Sequence, residues 1–137
     1  MINEKYADYA WEQTAALLAI DSPSGFTRRA AEWVKTAFEA LGFPAKITTK
    51  GGVLADLGGE NADDGLFLEA HSDTLGAMVA QIKGSGRLRL TAVGGKEPNN
   101  AEAENVRIYT RSGKVYDGTC QLCNASVHVN GEDGSTK

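Results

Sequence analysis

The sequence predicts an α/β protein. Three features of its 137 residues carry that expectation: two segments of helical apolar periodicity before residue 42, a change to period-two alternation from Ala45 onward, and a short apolar run, Leu66-Phe67-Leu68-Glu69-Ala70, of the kind that fills a buried central strand.

The first helix is expected from about Asn3 to Ile20. Tyr6, Ala10, Thr14 and Leu17 fall on one face with Tyr9 and Leu18 beside it, whereas Glu4, Lys5, Asp8 and Glu12 fall elsewhere. Asp21-Ser22-Pro23-Ser24-Gly25 interrupts the pattern. Pro23 disfavours helix at Ser22, and the Ser24 hydroxyl is available to cap the next helix. That second helix is expected from about Phe26 to Leu41, where Ala30, Trp33, Val34, Ala37, Phe38 and Leu41 keep an i, i+3, i+4, i+7 spacing. Gly42 stands where a helix takes its left-handed stop, and Pro44 comes soon after.

Ala45 to Lys50 and Val53 to Leu57 read as two strands joined tightly through Gly51-Gly52. A polar turn over 58–64 separates them from the apolar run, which ends at His71. From Gly76 the pattern is all-β. Ala77 to Ile82 and Leu88 to Val93 flank the turn Lys83-Gly84-Ser85-Gly86, and a polar loop over 94–104 contains Pro98. Val106 to Thr110 and Val115 to Tyr116 flank Arg111-Ser112-Gly113-Lys114, and Val127 to Val129 is a last candidate strand. Short strands at this spacing suit a small barrel. The chain thus divides into an α/β part, residues 1–75, and a β part, residues 76–137.

Composition excludes several functions. With 42% hydrophobic and 23% charged residues the usage is that of an ordinary globular chain, long enough for a substantial core. The net charge of −4 and scattered Lys and Arg give no basic face, so neither nucleic acid nor a membrane surface is an expected partner. No apolar run reaches the roughly 20 residues of a membrane span. The N-terminal residues lack a basic head followed by an apolar stretch, so no signal peptide is expected and the expected location is cytoplasmic. Cys120 and Cys123 form a single C-x-x-C with no second ligand pair, which reads as two reduced structural cysteines.

His71-Ser72-Asp73 is the segment that invites a chemical reading. Ligands gather outside the carboxyl ends of strands in open α/β sheets. A neutral imidazole there can bind a divalent metal, and a carboxylate two residues on can curl back to accept the other ring N–H, fixing the tautomer. The bare H-x-D motif is common, and the alternative is a polar turn with His71 bonded to backbone. His128 alternates with Val127 and Val129 and reads as a solvent-facing strand residue.

The segment Leu68-Glu69-Ala70-His71-Ser72-Asp73-Thr74-Leu75-Gly76-Ala77-Met78-Val79 resembles the signature of the M42 peptidase family, in which an apolar strand leads into Ala-His-x-Asp and then Gly with apolar residues. Arg87-Leu88-Arg89-Leu90-Thr91-Ala92-Val93-Gly94-Gly95 is similar to the family's next strand and its Gly-Gly end. Ser22-Pro23-Ser24-Gly25 resembles its inter-helix turn, Leu41-Gly42-Phe43 its helix end and Lys50-Gly51-Gly52-Val53 its hairpin. Val106-Arg107-Ile108-Tyr109-Thr110 with Gly113 is similar to its later strand and turn. The resemblance is collinear over nearly the whole chain.

That resemblance implies the N-terminal part of a zinc-exopeptidase α/β domain followed by part of an inserted small β-barrel domain. It implies a metallo-aminopeptidase acting on peptide substrates with two divalent metals per site, zinc or cobalt, one of which activates water and polarises the scissile carbonyl. His71 matches the first metal ligand. Asp73 matches the carboxylate that orients it, and is the candidate catalytic residue. The bridging carboxylate, the Glu base, a further carboxylate ligand and the second His would lie beyond the barrel. The chain is therefore expected to be a fragment that holds metal poorly and is inactive alone, and a homo-oligomer is expected through the barrel region. An assembly module built from the same family is a second reading. A third is another dinuclear zinc exopeptidase of the M20 or M28 type, against which the barrel-like stretch after Gly76 weighs. One departure stands inside the signature: Thr74 replaces the family's usual Glu and removes a negative charge near the site.

Overall fold

In the computed structural model, residues 4–61, 63–95, 98–121, 126 and 128 are described. The chain is mixed α/β, with two helices followed by small antiparallel sheets. It divides into two compact units, residues 1–94 and 95–137.

Helix α1 spans Glu4–Leu18 and α2 spans Arg28–Ala40. The expected ends lie within the usual uncertainty of a fraying helix. Helix α2 is the better built of the two. Ala30 and Ala31 are buried, and their small side chains let the helix sit close to its neighbours. Arg28–Glu32 and Lys35–Glu39 make i,i+4 ion pairs on its outer side. Its end is a Schellman motif. Phe43 N–H donates to the Phe38 carbonyl and Gly42 N–H to the Glu39 carbonyl, with Gly42 at φ +89°. In α1 no residue is fully buried, and Tyr6, Trp11 and Leu18 are exposed.

Strands β1 (Ala45–Ile47) and β2 (Val53–Ala55) pair antiparallel, Ala45 opposite Ala55 and Ile47 opposite Val53. These inward residues are half-buried while Lys46 and Leu54 point out, and α2 packs on the pair. Period two in the sequence thus becomes one covered face. Gly51, at φ +87°, makes the turn.

Strands β3 (Gly76–Ile82) and β4 (Leu88–Val93) form a second hairpin with an irregular register between Val79 and Gln81. Within the second unit, β5 (Asn105–Tyr109) pairs with β6 (Val115–Thr119). Two further backbone bonds, Ala103 N–H to Cys120 carbonyl and Cys120 N–H to Glu104 carbonyl, extend this ladder. The polar loop holds a short 3-10 helix, Pro98–Ala101, whose Ala101 is buried. Cys120 is a half-buried free thiol, while Cys123 lies outside the described residues. So does most of the candidate strand 127–129. His128 itself is exposed, with a helical rather than an extended backbone.

Two expectations are corrected. Leu66-Phe67-Leu68-Glu69-Ala70 is not a buried strand. It carries no ladder, and Leu66, Phe67 and Leu68 are 86%, 71% and 78% exposed. Nor is the core substantial: among the described residues only Ala30, Ala31, Ala101 and Ser22 are buried. The reason is common to both. A central strand needs partners on both edges and cover on both faces, and a two-stranded sheet supplies neither. The described strands form three separate two-stranded sheets.

The turn between the helices touches the start of β3. Pro23 and Thr74 form an isolated parallel bridge, and a Cβ built on Gly76 would lie 2.6 Å from the Pro23 Cβ. Gly76 is therefore required by close approach. Gly76→Ala is expected to lower stability by about 1–3 kcal/mol, as overpacking does. Thermal unfolding followed by circular dichroism measures it, and an unchanged midpoint would show that the bridge is loose.

Candidate metal site

His71-Ser72-Asp73 lies just before β3, directly after the apolar run. Its backbone is tied to the inter-helix turn on both sides. The Ser22 hydroxyl, on a residue only 1% exposed, donates to the Ser72 carbonyl at 3.0 Å, and Thr74 N–H donates to the Ser22 carbonyl at 2.9 Å. These bonds set the register of 22–24 against 72–74.

The imidazole and the carboxylate meet. His71 Nδ1 is 3.0 Å from Asp73 Oδ1 and 3.0 Å from the Asp73 carbonyl oxygen. A carboxylate oxygen and a carbonyl oxygen only accept, so Nδ1 must carry the proton. In the neutral ring Nε2 is then left with its lone pair, on a side chain 86% exposed. The two readings of H-x-D, a carboxylate-oriented ring and a ring bonded to backbone, are thus present at once in a shared hydrogen bond.

The second carboxylate oxygen is also engaged. The Ser24 hydroxyl donates to Asp73 Oδ2. Ser24 is not the cap of α2. The N-cap is Thr27, which makes no side-chain capping bond. The Ser24 hydroxyl, and next the His71 ring, hold the Asp73 carboxyl below its ordinary value, against a smaller opposing effect of burial. The ionised form accepts both bonds, so its contribution is present above the unfolded-chain value of about 3.9 and is lost as pH falls through the lowered folded value. Across neutral pH Asp73 is a fixed negative partner.

The donor set fits part of a metal site: one outward imidazole nitrogen and the carboxylate that orients its ring. Among the described residues no group of three or more His, Cys, Asp or Glu side chains is assembled to hold an ion. Catalytic zinc takes three protein ligands as a rule. Ser24 and Ser22 were not legible as site residues. Their partners are 49 and 50 positions away, and no local pattern announces such a pairing.

Fold and site together define a mixed α/β protein that presents one carboxylate-oriented imidazole to solvent. Comparison with known proteins places it. A family model described as M42 glutamyl aminopeptidase matches residues 51–137, well over half of the chain and including His71 and Asp73. The chain belongs to the M42 peptidase family.

Among curated relatives, the protein named "Putative aminopeptidase YhfE" of Bacillus subtilis (strain 168) is 37% identical over 121 residues, which is 88% of this chain and 35% of that protein. A glutamyl aminopeptidase of Lactococcus lactis subsp. cremoris (strain MG1363) is 29% identical over 106 residues, 76% of this chain and 30% of that protein. A lysyl aminopeptidase of Pyrococcus furiosus is 34% identical over 71 residues, 52% of this chain and 20% of that protein. The chain spans about a third of the length of the first two. No helix among the described residues is long and apolar enough to cross a membrane.

Proposed function

We propose that this chain carries the first ligand and the orienting carboxylate of a dinuclear metallo-aminopeptidase, and that the remaining ligands and the general base lie in sequence outside these 137 residues. The observation that carries the reading is the bond from His71 Nδ1 to Asp73, which leaves Nε2 as the outward donor. Family membership supplies the reaction class, removal of N-terminal residues from peptides.

In this reading His71 holds a divalent ion, zinc or cobalt, through Nε2. Asp73 keeps the proton on Nδ1, sets the plane of the ring and raises its basicity. Bound in such a site, a divalent ion polarises a carbonyl and lowers the pKa of water. Thr74, where the family usually has Glu, leaves Asp73 as the one carboxylate of the 71–74 segment. Residue preference is set elsewhere, since relatives named for glutamyl and for lysyl activity both match this chain.

The same reading assigns residues 1–75 to the α/β domain of a zinc exopeptidase and 76–137 to part of an inserted β-barrel. Exposed Met78, Ile82 and Leu90 on β3 and β4 support a further role for that region in contacts between copies in a cytoplasmic homo-oligomer.

One preparation tests this. The purified 137-residue chain is expected to release no chromophore from amino-acyl chromogenic substrates with added zinc or cobalt, and to self-associate in light scattering. Turnover that depends on His71 in this chain alone would overturn the division of the site. A strictly monomeric species would remove the oligomer assignment.

A further inference from the structure

The geometry points to Ser24 as the positioning residue of the His71–Asp73 pair, a role that rests on the reading of His71 as a ligand. Asp73 projects from a half-buried loop, and a carboxylate held at one oxygen can still swing about its two side-chain torsions. Here both oxygens are held, Oδ1 by His71 and Oδ2 by the Ser24 hydroxyl. Two contacts at opposite ends of the carboxylate fix its plane, and with it the direction from which Nδ1 is met.

Ser24 can do this because its own turn is anchored to the same segment. Ser22 is buried and bonded to Ser72, and Thr74 N–H reaches back to Ser22. Pro23 bridges Thr74, and Gly76 lacks the Cβ that would push Pro23 away. The turn closes on itself through Phe26 N–H to the Pro23 carbonyl at 2.7 Å. A hydroxyl has a single proton to donate. Spent on Asp73, it is not available to α2, whose N-cap Thr27 makes no side-chain capping bond. A residue type favoured as a helix cap is used instead to hold a carboxylate 49 positions away.

The consequence is legible in the tautomer of His71. With Asp73 fixed, the neutral ring keeps its proton on Nδ1. With Oδ2 released, the carboxylate swings, Nδ1 keeps only the Asp73 backbone carbonyl as a steady acceptor, and the Nε2–H tautomer gains population.

The experiment is ring 15N NMR of His71 in the 137-residue chain without metal, at about pH 9, where imidazole is neutral. The wild-type chain is expected to show well-separated Nδ1 and Nε2 resonances with Nδ1 protonated. In Ser24→Ala the Nδ1 resonance should move toward the unprotonated position and the Nε2 resonance toward the protonated one, Ser24→Thr should reverse this, and Asp73→Ala should move both at least as far. A Ser24→Ala spectrum identical to wild type, with Asp73→Ala shifted, would overturn the role of Ser24 and leave the His71–Asp73 reading intact. No shift in either variant would overturn both. Should Ser24→Ala lose its dispersed backbone spectrum, Ser24→Cys, of similar size and weaker donor strength, is read in its place. It should shift part of the way, and wild-type resonances there would equally refute the proposal.

Discussion

Replacing His71 by alanine is expected to lower divalent-metal affinity at least about 100-fold in the polypeptide that carries the complete ligand set, and to remove its aminopeptidase activity with it. The comparison point is that loss of a partner one shell further out already costs about 10–100-fold. In the proposed reading the ring would bind through Nε2, on a side chain 86% exposed. Its removal leaves the surrounding contacts largely in place, because Ser22, Thr74 and Gly76 hold the segment through backbone and close packing. A folded protein with weakened metal binding is therefore the expected phenotype. Calorimetric titration with zinc, alongside circular dichroism, separates this from unfolding. Wild-type affinity in His71→Ala would remove the ring from the site.

The second large effect concerns Asp73. Asp73→Ala is expected to weaken metal binding about 10–100-fold while leaving His71 available. Asp73→Asn should fall between, since its amide oxygen still accepts from Nδ1 but carries no charge to support the ligand. The ordering wild type, then Asn, then Ala distinguishes an orienting acceptor from a direct ligand, for which Asn and Ala would both be severe. The measurement is the zinc dissociation constant of the three proteins at one pH. Because the Ser24 and His71 contacts hold the Asp73 carboxyl low, the wild-type contact should persist unchanged through the neutral and mildly acidic range.

How much of this was legible in the sequence differs by element. The end of α2 was written out locally: Gly42 adopts the left-handed conformation its position demanded, and Phe43 closes the motif. The hairpin of β1 and β2 came from period two and from Gly51. The pairing of His71 with Asp73 was readable because the two residues are two positions apart, and the bond that the spacing allows is made. The run Leu66 to Ala70 shows the limit. An apolar pattern states a demand for burial, not its supply, and the described strands do not meet that demand. Ser24 shows another. Its type and position fitted a helix cap, and only the fold, by bringing residue 24 to residue 73, reassigns its hydroxyl.

The metal assignment depends on which nitrogen of one ring faces outward. Anomalous diffraction from crystals of the polypeptide with the complete ligand set, grown with zinc, measures this most directly. A zinc peak about 2.0–2.1 Å from His71 Nε2, with Nδ1 still on Asp73, is the predicted result. A peak on Nδ1, or metal bound with His71 turned away from it, would contradict the assignment.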